Sequence, residues 1–495
     1  MGLPDIRGGQ LKLLSRDEIR EIHYASLEIL NITGVKVLSE WGLKILDAAG
    51  AFVNHDKKHA KIPPYLVEEA IRKTPSKFDL FGRSKLKYRY EQGRVYFGMA
   101  GAPPFVLDLN GERRQGTYED IKNFIRLGDA LEYIHCPSPC LQGTIEEMTL
   151  PEAVMMARRF FIQIQNTNKP GPAIDVARDG AEDSIRLQLA VLDGGIQELR
   201  RKPMTWFWHN PTSPLTYSKE LTDNAIVYAE KGLPILFAPE VMGGASGPAS
   251  LAGILAQQNA EFLGGAVIAQ MAALKEHRPP LMYGTVSGVV DMRSGVFCLG
   301  TAETGLLNVG TAQLARFYNV PSRGTGGLTD AIVPDAQSGI ESGITVLLAA
   351  LAGHTYIYNA TGATEPGVLA ISYEKIVIDN DMLGLVTRVM GGIEVSDETL
   401  ATEVIDEVIN EKGGNFLLSE HTRKHFQSHY YPEIFNRELW ERWLKAGSLS
   451  VRQVARTRVK NILEEHQPEP LDPDVEKRVR EVVTQIEKRE LKDKA

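Results

Sequence analysis

The chain of 495 residues is 43% hydrophobic and 24% charged, which is typical of a globular protein with ample core. Its formal net charge of -8 at pH 7 argues against a surface that binds nucleic acid or anionic membranes. Three cysteines indicate no disulfide framework, and residues 1–10 carry no apolar signal segment, so we expect a cytoplasmic protein.

Residues 1–94 predict helices and short strands without a long repeating pattern. Ser15 and Glu18 form a capping box that opens the first helix. Further helices are expected near residues 40–49 and 64–73, and short strands between residues 78 and 97. We expect this N-terminal extension to form a buttress for the region that follows.

Residues 95–393 alternate between predicted strands and predicted helices. The expected strands are residues 95–99, 133–137, 171–175, 204–209, 234–239, 281–285, 318–322 and 355–359. The expected helices are residues 118–130, 151–164, 179–192, 219–231, 248–274, 302–317, 335–352 and 373–389. Eight alternations predict an α/β fold of the (β/α)8 TIM-barrel type. An open, doubly wound sheet is the alternative, because a sequence does not show closure.

Residues 394–495 are charged and predict a helical C-terminal extension. His421, His425 and His429 recur every four residues, which predicts an exposed polar face rather than a metal site. Cys136 and Cys140 have no second cysteine pair downstream, so we predict no metal site there either. The last helix has apolar residues in register and is expected to pack on a neighbouring domain or subunit.

The carboxyl ends of barrel strands meet at one mouth, where barrel enzymes place their chemistry. The predicted substrate-binding residues at these ends are Trp206, Trp208, His209, Glu240, Tyr283, Arg323, Asp330, Gln337 and Tyr358. Aromatic faces attract cations by about 0.5–2 kcal/mol each, so Trp206, Trp208 and Tyr283 are the predicted cage. Arg323 and His209 are the predicted donors to a carboxylate. The alternative is that the aromatic side chains only fill the barrel.

Standard catalytic motifs are missing from the sequence. It contains no Ser-His-Asp order, no phosphate-binding Walker loop and no HExxH string. We therefore assign no catalytic residue and expect chemistry that depends on positioning and electrostatics.

Several long strings resemble the trimethylamine methyltransferase family. They are G-M-A-G-A-P-P-F-V-L-D (98–108), A-P-E-V-M-G-G-A-S-G-P-A-S-L-A-G (238–253), P-S-R-G-T-G-G-L-T-D (321–330), P-D-A-Q-S-G-I-E (334–341) and S-Y-E-K (372–375). The resemblance covers nearly the whole chain. It implies a (β/α)8 barrel that moves a methyl group from an amine to the cobalt of a separate corrinoid protein.

One departure from the family pattern concerns the substrate. The archaeal trimethylamine enzymes carry pyrrolysine, which we place within residues 330–337, whereas this chain has ordinary residues there. It thus resembles the non-pyrrolysine branch, which is similar to glycine betaine methyltransferases. The resemblance implies demethylation of glycine betaine to dimethylglycine. Proline betaine, carnitine, γ-butyrobetaine, or a non-catalytic module that binds quaternary amines or a corrinoid protein are the alternatives.

The corrinoid is expected on a partner protein and not tightly bound here, because no D-x-H-x-x-G string is present. The predicted docking residues for that partner are Gly243, Gly244, Gly324 and Gly326, in two glycine-rich loops. We also expect a homo-oligomer, and neither a nucleic-acid nor a membrane partner.

Overall fold

The computed structural model of the chain describes residues 6–84, 86–138, 141–171 and 179–492. The helices are α1 (Arg16–Glu28), α2 (Glu40–Ala49), α3 (Pro64–Lys73), α4 (Tyr118–Ala130), α5 (Glu152–Asn166), α6 (Gly180–Leu192), α7 (Ile196–Arg201), α8 (Lys219–Lys231), α9 (Leu251–Ala272), α10 (Ala302–Phe317), α11 (Ala336–Ala352), α12 (Tyr373–Met390), α13 (Asp397–Leu400), α14 (Thr402–Asn410), α15 (Glu420–His425), α16 (Trp440–Lys445), α17 (Val451–Glu465) and α18 (Pro473–Lys492). The strands are β1 (Val35–Val37), β2 (Phe52–Asn54), β3 (His59–Lys61), β4 (Phe78–Phe81), β5 (Lys87–Tyr90), β6 (Tyr96–Met99), β7 (Phe105–Leu107), β8 (Arg113–Gln115), β9 (Phe207–His209), β10 (Thr216–Tyr217), β11 (Ile235–Phe237), β12 (Met242–Gly243), β13 (Leu281–Gly284), β14 (Gly288–Asp291), β15 (Val296–Cys298), β16 (Ser322–Thr325), β17 (Tyr356–Thr361), β18 (Ala363–Thr364) and β19 (Ala370–Ser372).

A six-stranded parallel sheet forms the centre of the fold, in the order β6-β17-β16-β13-β11-β9. These are six of the eight predicted strands, and all eight predicted helical windows are confirmed. The predicted strand at residues 133–137 contributes a single parallel bridge, between Cys136 and Gly98. The predicted strand at residues 171–175 lies, from residue 172 onward, outside the described residues.

The sheet curls into a half barrel. β9 and β17 stand four places apart in the strand order. Nevertheless, the ring of Trp208 on β9 lies 4.7 Å from the ring of Tyr358 on β17, centroid to centroid. Contact between such distant strands requires strong curvature, so the two side chains meet inside the curl.

The position of β16 corrects the predicted strand at residues 318–322. Helix α10 continues to Phe317, and Asn319 then turns the chain with a φ of 56°. The strand therefore begins only at Ser322. Arg323 and Gly324 consequently lie within a buried strand rather than in the turn that follows it.

The N-terminal helices pack on the outside of the half barrel, and an N-terminal hairpin closes the end at which its strands begin. The capping box predicted at Ser15 opens α1, and α1, α2 and α3 all pack against α9. The hairpin of β4 and β5 places Leu80, Tyr88 and Tyr90 against the interior of the curled sheet. This hairpin covers the end at which the parallel strands begin.

The C-terminal helices are attached unevenly. Helix α18 packs on α5 and α6 of the same chain, and α17 packs on α12 and α4. The buried Glu374 on α12 accepts hydrogen bonds from Arg452 and Arg456 on α17, which fixes α17 to the sheet region. Helix α15 ends at His425, so His429 does not share its helical face. No helix in the described ranges is long and apolar enough to cross a membrane.

Candidate active site at the carboxyl ends of the strands

The interior of the half barrel begins with a sealed aromatic floor. Trp206 and Tyr356 are fully buried, and their ring centroids lie 5.1 Å apart in an edge-to-face arrangement. Tyr90 from the β5 strand closes the other side of Trp206, at 5.5 Å. Such pairs prefer this geometry because the positive ring edge meets the negative ring face. The predicted cage residue Trp206 thus lies in the floor, with no exposed surface for a ligand.

Above the floor, one layer nearer the carboxyl ends, Trp208 and Tyr358 flank the buried Arg323. The guanidinium of Arg323 lies 4.9 Å from the Trp208 ring and 4.6 Å from the Tyr358 ring. The Trp208 ring is held in place because its Nε1 donates to Asn210 Oδ1 at 2.6 Å. The aromatic faces expected to hold a ligand cation therefore already contact a protein cation.

Arg323 keeps part of its hydrogen-bonding capacity unused. Its Nη1 donates to the carbonyl oxygen of Thr285 at 2.5 Å. Its Nε has no acceptor among the residues that the structure describes. Burial lowers the pKa of Arg323 to about 10, so the group is charged at neutral pH. A buried charge with an unused donor destabilises the fold unless a ligand accepts a hydrogen bond from that donor.

Glu240 supplies the opposite charge at the same mouth, three residues after β11. It is exposed, and within the described part of the chain its carboxylate forms no hydrogen bond or ion pair. The protein atoms around the carboxyl group nevertheless exclude enough water to raise the pKa of Glu240. The nearby charge of Arg323 offsets only part of that rise. An accessible side chain in surroundings that still disfavour its charge is typical of a recess rather than an open surface.

Two glycines make room for the tyrosines of β17. A Cβ atom added to Gly98 would lie 2.2 Å from Tyr356 Oη, and one added to Gly101 would lie 1.2 Å from Tyr358 Oη. Both hydroxyls therefore occupy space that any other residue would fill. Asn359, with a φ of 61°, braces this contact because its Oδ1 accepts from the Gly101 amide at 3.0 Å.

The loop after β16 is a cross-braced network rather than an open binding loop. Asp330 accepts hydrogen bonds from the backbone amides of Leu299 and Gly300, at 3.0 and 3.1 Å. Glu341 on α11 accepts from the Asp330 amide at 2.8 Å and from Gln337 Nε2 at 2.9 Å. Burial raises the pKa of Asp330, with Glu341 adding to the rise. The predicted site residues Asp330 and Gln337 thus both donate to Glu341, Asp330 through its backbone amide and Gln337 through its side chain. These contacts stabilise the loop.

Two predicted site residues, His209 and Tyr283, point away from the interior of the half barrel and toward the surrounding helices. His209 lies in the helix-facing layer, 5.1 Å from the Phe237 ring, with Nε2 at 3.4 Å from Thr222 Oγ1. Burial lowers the pKa of His209 to about 3, so it is neutral. Tyr283 stacks on Phe262 of α9 at 4.1 Å. Because side chains alternate along a strand, both lie on the outer face of the sheet, which packs against the helices.

Three of the four predicted docking glycines, Gly243, Gly324 and Gly326, are buried, and a docking role for them stays a prediction. An added Cβ would lie 2.4 Å from the His354 ring at Gly324, 2.9 Å from the Val346 backbone at Gly326, and 2.6 Å from Ile254 at Gly243. These three serve close packing of strands against helices. Gly244 alone of the four is exposed, with a φ of 91°.

Some residues of the site escaped the sequence analysis. Gly98 and Gly101 carried a signal, since a strand that ends in two nearby glycines indicates close approach of another group. Thr285 and Glu341 carried none, because only the fold brings them to Arg323 and Asp330. No group of three or more His, Cys, Asp and Glu side chains suited to a metal ion occurs among the described residues.

The chain is similar to known proteins over nearly its whole length. The family model described as trimethylamine methyltransferase matches residues 3–491. A glycine betaine methyltransferase of Desulfitobacterium hafniense (strain Y51) is 33% identical over 476 residues, which is 96% of each chain. A trimethylamine methyltransferase of Methanosarcina thermophila is 34% identical over 480 residues, 96% of this chain and 97% of that one. The crystal structure of the Methanosarcina barkeri monomethylamine methyltransferase superposes with a TM-score of 0.54 at 11% identity, covering 98% of this chain and 90% of that chain. This last likeness concerns the fold alone.

Proposed function

Because the chain belongs to the trimethylamine methyltransferase family, we propose that it moves a methyl group from a zwitterionic quaternary amine to cobalt(I) of a separate corrinoid protein. Glycine betaine is the proposed substrate and dimethylglycine the product. The half barrel is proposed to belong to a closed (β/α)8 ring whose mouth opens above Arg323.

The observation that supports this substrate class is the pair of incompletely satisfied opposite charges at the mouth. Arg323 offers a buried guanidinium whose Nε lacks an acceptor, and Glu240 offers a carboxylate without a partner among the described residues. The two attract each other but form no ion pair within 4.0 Å. A zwitterion with a carboxylate at one end and an ammonium at the other complements both charges at once.

The same pair argues against trimethylamine as the preferred ligand. Trimethylamine has no carboxylate, so it would leave the Arg323 charge uncompensated. It would also have to compete with the guanidinium for the Trp208 and Tyr358 rings. In the proposed complex the carboxylate of the betaine neutralises Arg323, and the trimethylammonium group lies toward Glu240.

The chemistry asked of the protein is positioning. The carbon–nitrogen bond breaks with both electrons remaining on nitrogen, so a neutral tertiary amine leaves. The electron pair of the partner's cobalt(I) forms the new bond to the methyl carbon. No proton has to move, which suits a site without an assigned acid or base. Holding the two ends of the substrate leaves one methyl group facing the mouth, in line for transfer.

The rim of the mouth provides the proposed docking surface for the corrinoid protein. Its exposed apolar side chains lie in three loops that follow β13, β16 and β17, namely Met292, Ile332 and Leu369. Asp330 ties the second loop to the first, and the Glu365 amide donates to the Ala331 carbonyl to tie it to the third. Bracing of this kind favours a preformed platform.

Isothermal titration calorimetry with a ligand series tests the proposed substrate class. Glycine betaine is expected to bind more tightly than choline, which keeps the trimethylammonium group but lacks the carboxylate. Trimethylamine is expected to bind weakest. Proline betaine, carnitine and γ-butyrobetaine show how long a tail the site accepts. Equal affinity for glycine betaine and choline would exclude a role for Arg323 in recognition.

A further inference from the structure

The two charges of the mouth belong to strands that are not neighbours in the sheet. Glu240 follows β11 and Arg323 lies on β16, and β13 stands between these two strands. At about 4.8 Å between neighbouring strands, β11 and β16 are roughly 9–10 Å apart along the sheet. The separation of the two charges therefore depends on β13 and on the residues that follow it. We call residues 285–288, which run from the end of β13 to the first residue of β14, the spacer.

On one side the spacer holds Arg323. The Arg323 Nη1 donates to the Thr285 carbonyl oxygen at 2.5 Å, and the Thr285 amide donates to the Arg323 carbonyl oxygen at 3.0 Å. Both residues are buried, where hydrogen bonds are stronger than in water. Arg323 is thus fixed to Thr285 through its side chain and through its main chain.

On the other side the spacer holds the two chain neighbours of Glu240. The Val286 amide donates to the Pro239 carbonyl oxygen at 3.1 Å. The Ser287 hydroxyl oxygen accepts from the Val241 amide at 3.0 Å. The backbone that carries the Glu240 carboxylate is therefore tied to the spacer both before and after it.

One side chain joins the two halves of the spacer. The Thr285 hydroxyl accepts from the Ser287 amide at 3.2 Å and donates to Gln258 Oε1 on α9 at 2.9 Å. Gln258 is anchored in turn, because its Nε2 donates to Thr311 Oγ1 on α10 at 2.6 Å. All four side chains are fully buried. A satisfied polar network in such surroundings makes the local structure rigid, so the spacer holds Arg323 and Glu240 in a fixed relation.

We propose that Thr285 and Ser287 are positioning residues that fix the distance between Arg323 and Glu240, and that this distance selects the length of the zwitterionic substrate. This role rests on the proposed function, because the two charges must hold the two ends of one substrate. Glycine betaine has one carbon between its nitrogen and its carboxylate, and γ-butyrobetaine has three. A rigid pair of charges complements one of these lengths, whereas a mobile pair adapts to both.

Calorimetry with both betaines, on the full chain and two variants of Thr285, tests this role. Thr285→Val keeps the branched shape but removes the hydroxyl that links Ser287 to Gln258, whereas Thr285→Ser keeps the hydroxyl. The wild type and Thr285→Ser are expected to bind glycine betaine roughly tenfold more tightly than γ-butyrobetaine. In Thr285→Val this preference is expected to fall below about threefold, mainly through weaker binding of glycine betaine.

Two further variants separate positioning from stability. Ser287→Ala removes the side-chain acceptor of the Val241 amide and is expected to reduce the preference in the same way, so the test does not depend on the folding of Thr285→Val. Thr311→Val breaks the outer end of the same network, away from the spacer. It is expected to lower the Tm and to keep the wild-type preference.

Different results contradict the positioning role and the proposed function. A wild type that binds neither betaine, or that binds choline as tightly as glycine betaine, would overturn both. A wild type that binds glycine betaine more tightly than choline but accepts both betaine lengths equally would overturn the positioning role alone. So would a preference that survives in folded Thr285→Val and Ser287→Ala, or one that Thr311→Val abolishes as completely as they do.

Discussion

At the scale of single residues, the charges of Arg323 and Glu240 lie where they lower the stability of the folded protein. Burial shifts the pKa of each toward its neutral form, downward for Arg323 and upward for Glu240. Neither shift is removed by a partner that the described protein supplies. Unmet charges of this kind are common at functional sites, where a ligand provides the missing contacts.

Replacing Arg323 by Met should weaken glycine betaine binding selectively. A hydrogen bond to a charged group contributes about 1.5–3 kcal/mol, so the loss corresponds to roughly 10–150-fold in Kd. Choline affinity should change by less than about threefold or improve, because a repelling charge is removed. Calorimetry with both ligands measures the difference, and equal losses for the two would assign Arg323 to structure alone.

Replacing Glu240 by Gln should flatten the pH dependence of betaine binding. Wild-type affinity should fall as the pH drops through the Glu240 pKa, because protonation removes the charge that attracts the ammonium. Since that pKa is raised, the loss should begin at a higher pH than for an ordinary glutamate. Affinity that is equally pH-dependent in both proteins between pH 5 and 7.5 would argue against this role.

The same substitution should stabilise the folded protein. The pKa of Glu240 is higher in the folded chain than in the unfolded one, so the ionised carboxylate disfavours folding above both values. Glu240→Gln should therefore raise the Tm at pH 7 to 8, and the gain should shrink as the pH falls toward 4. A lower Tm at neutral pH would show that Glu240 has a stabilising partner.

At the scale of secondary-structure elements, the sequence predicted the eight helices of residues 95–393 and six of the strands, but not which way the strand residues face. Strands of three or four residues that are apolar on both faces lack the alternation that marks an inside and an outside. Trp208 and Tyr358 lie inside the half barrel, whereas Tyr283 and His209 lie outside it. The role of all four residues toward the substrate stays a prediction.

Glycine was ambiguous for a related reason. A glycine in a turn and a glycine beneath a packed side chain look identical in a sequence. Gly244 occupies the first situation and Gly324 the second, because the His354 ring covers its α-carbon. The strand shift at β16 had a different cause, namely the continuation of α10 to Phe317. Such endings depend on packing that no local pattern shows.

The contact between Gly101 and Tyr358 can be tested by a pair of substitutions. Gly101→Ala should displace the Tyr358 ring and weaken betaine binding, and overpacking of this kind costs about 1–3 kcal/mol in stability. Tyr358→Ala removes both the hydroxyl and the ring carbon that the new methyl group would meet, at 1.2 and 1.9 Å. In the Tyr358→Ala background, Gly101→Ala should lower the Tm much less than it does in the wild type. Purely additive losses of Tm in the double variant would contradict a direct clash.

The apolar rim should matter for the partner and not for the substrate. Met292→Asp places a charge on a side chain that is 77% exposed at the tip of the β14–β15 hairpin. Methyl transfer to a corrinoid protein should slow at least tenfold, while the Kd for betaine stays unchanged. Transfer to free cob(I)alamin is the control and should be unaffected. A parallel loss with both acceptors would move Met292 from the docking surface to the site.

At the scale of the whole molecule, the sequence predicted an α/β barrel with extensions at both ends. The six-stranded half barrel and its helices confirm the coarse class, and the closed ring remains a proposal. Boundaries at residues 94 and 393 remain proposals too. The C-terminal extension is attached unevenly: α17 packs on α12 and α4, α18 packs on α5 and α6, and residues 391–450 contact α12 mainly through Tyr430 and the amides of residues 433–435, which donate to Asp381. Composition alone could not separate these two kinds of helical segment.

The most direct measurement is methyl transfer from each candidate amine to cob(I)alamin, followed by cobalt absorbance together with product analysis. Glycine betaine should methylate the cobalt and yield an equal amount of dimethylglycine, and Arg323→Met should lose most of this activity. Choline and trimethylamine should transfer little or nothing. Turnover of trimethylamine with glycine betaine inert would contradict the proposal that this site receives a zwitterion.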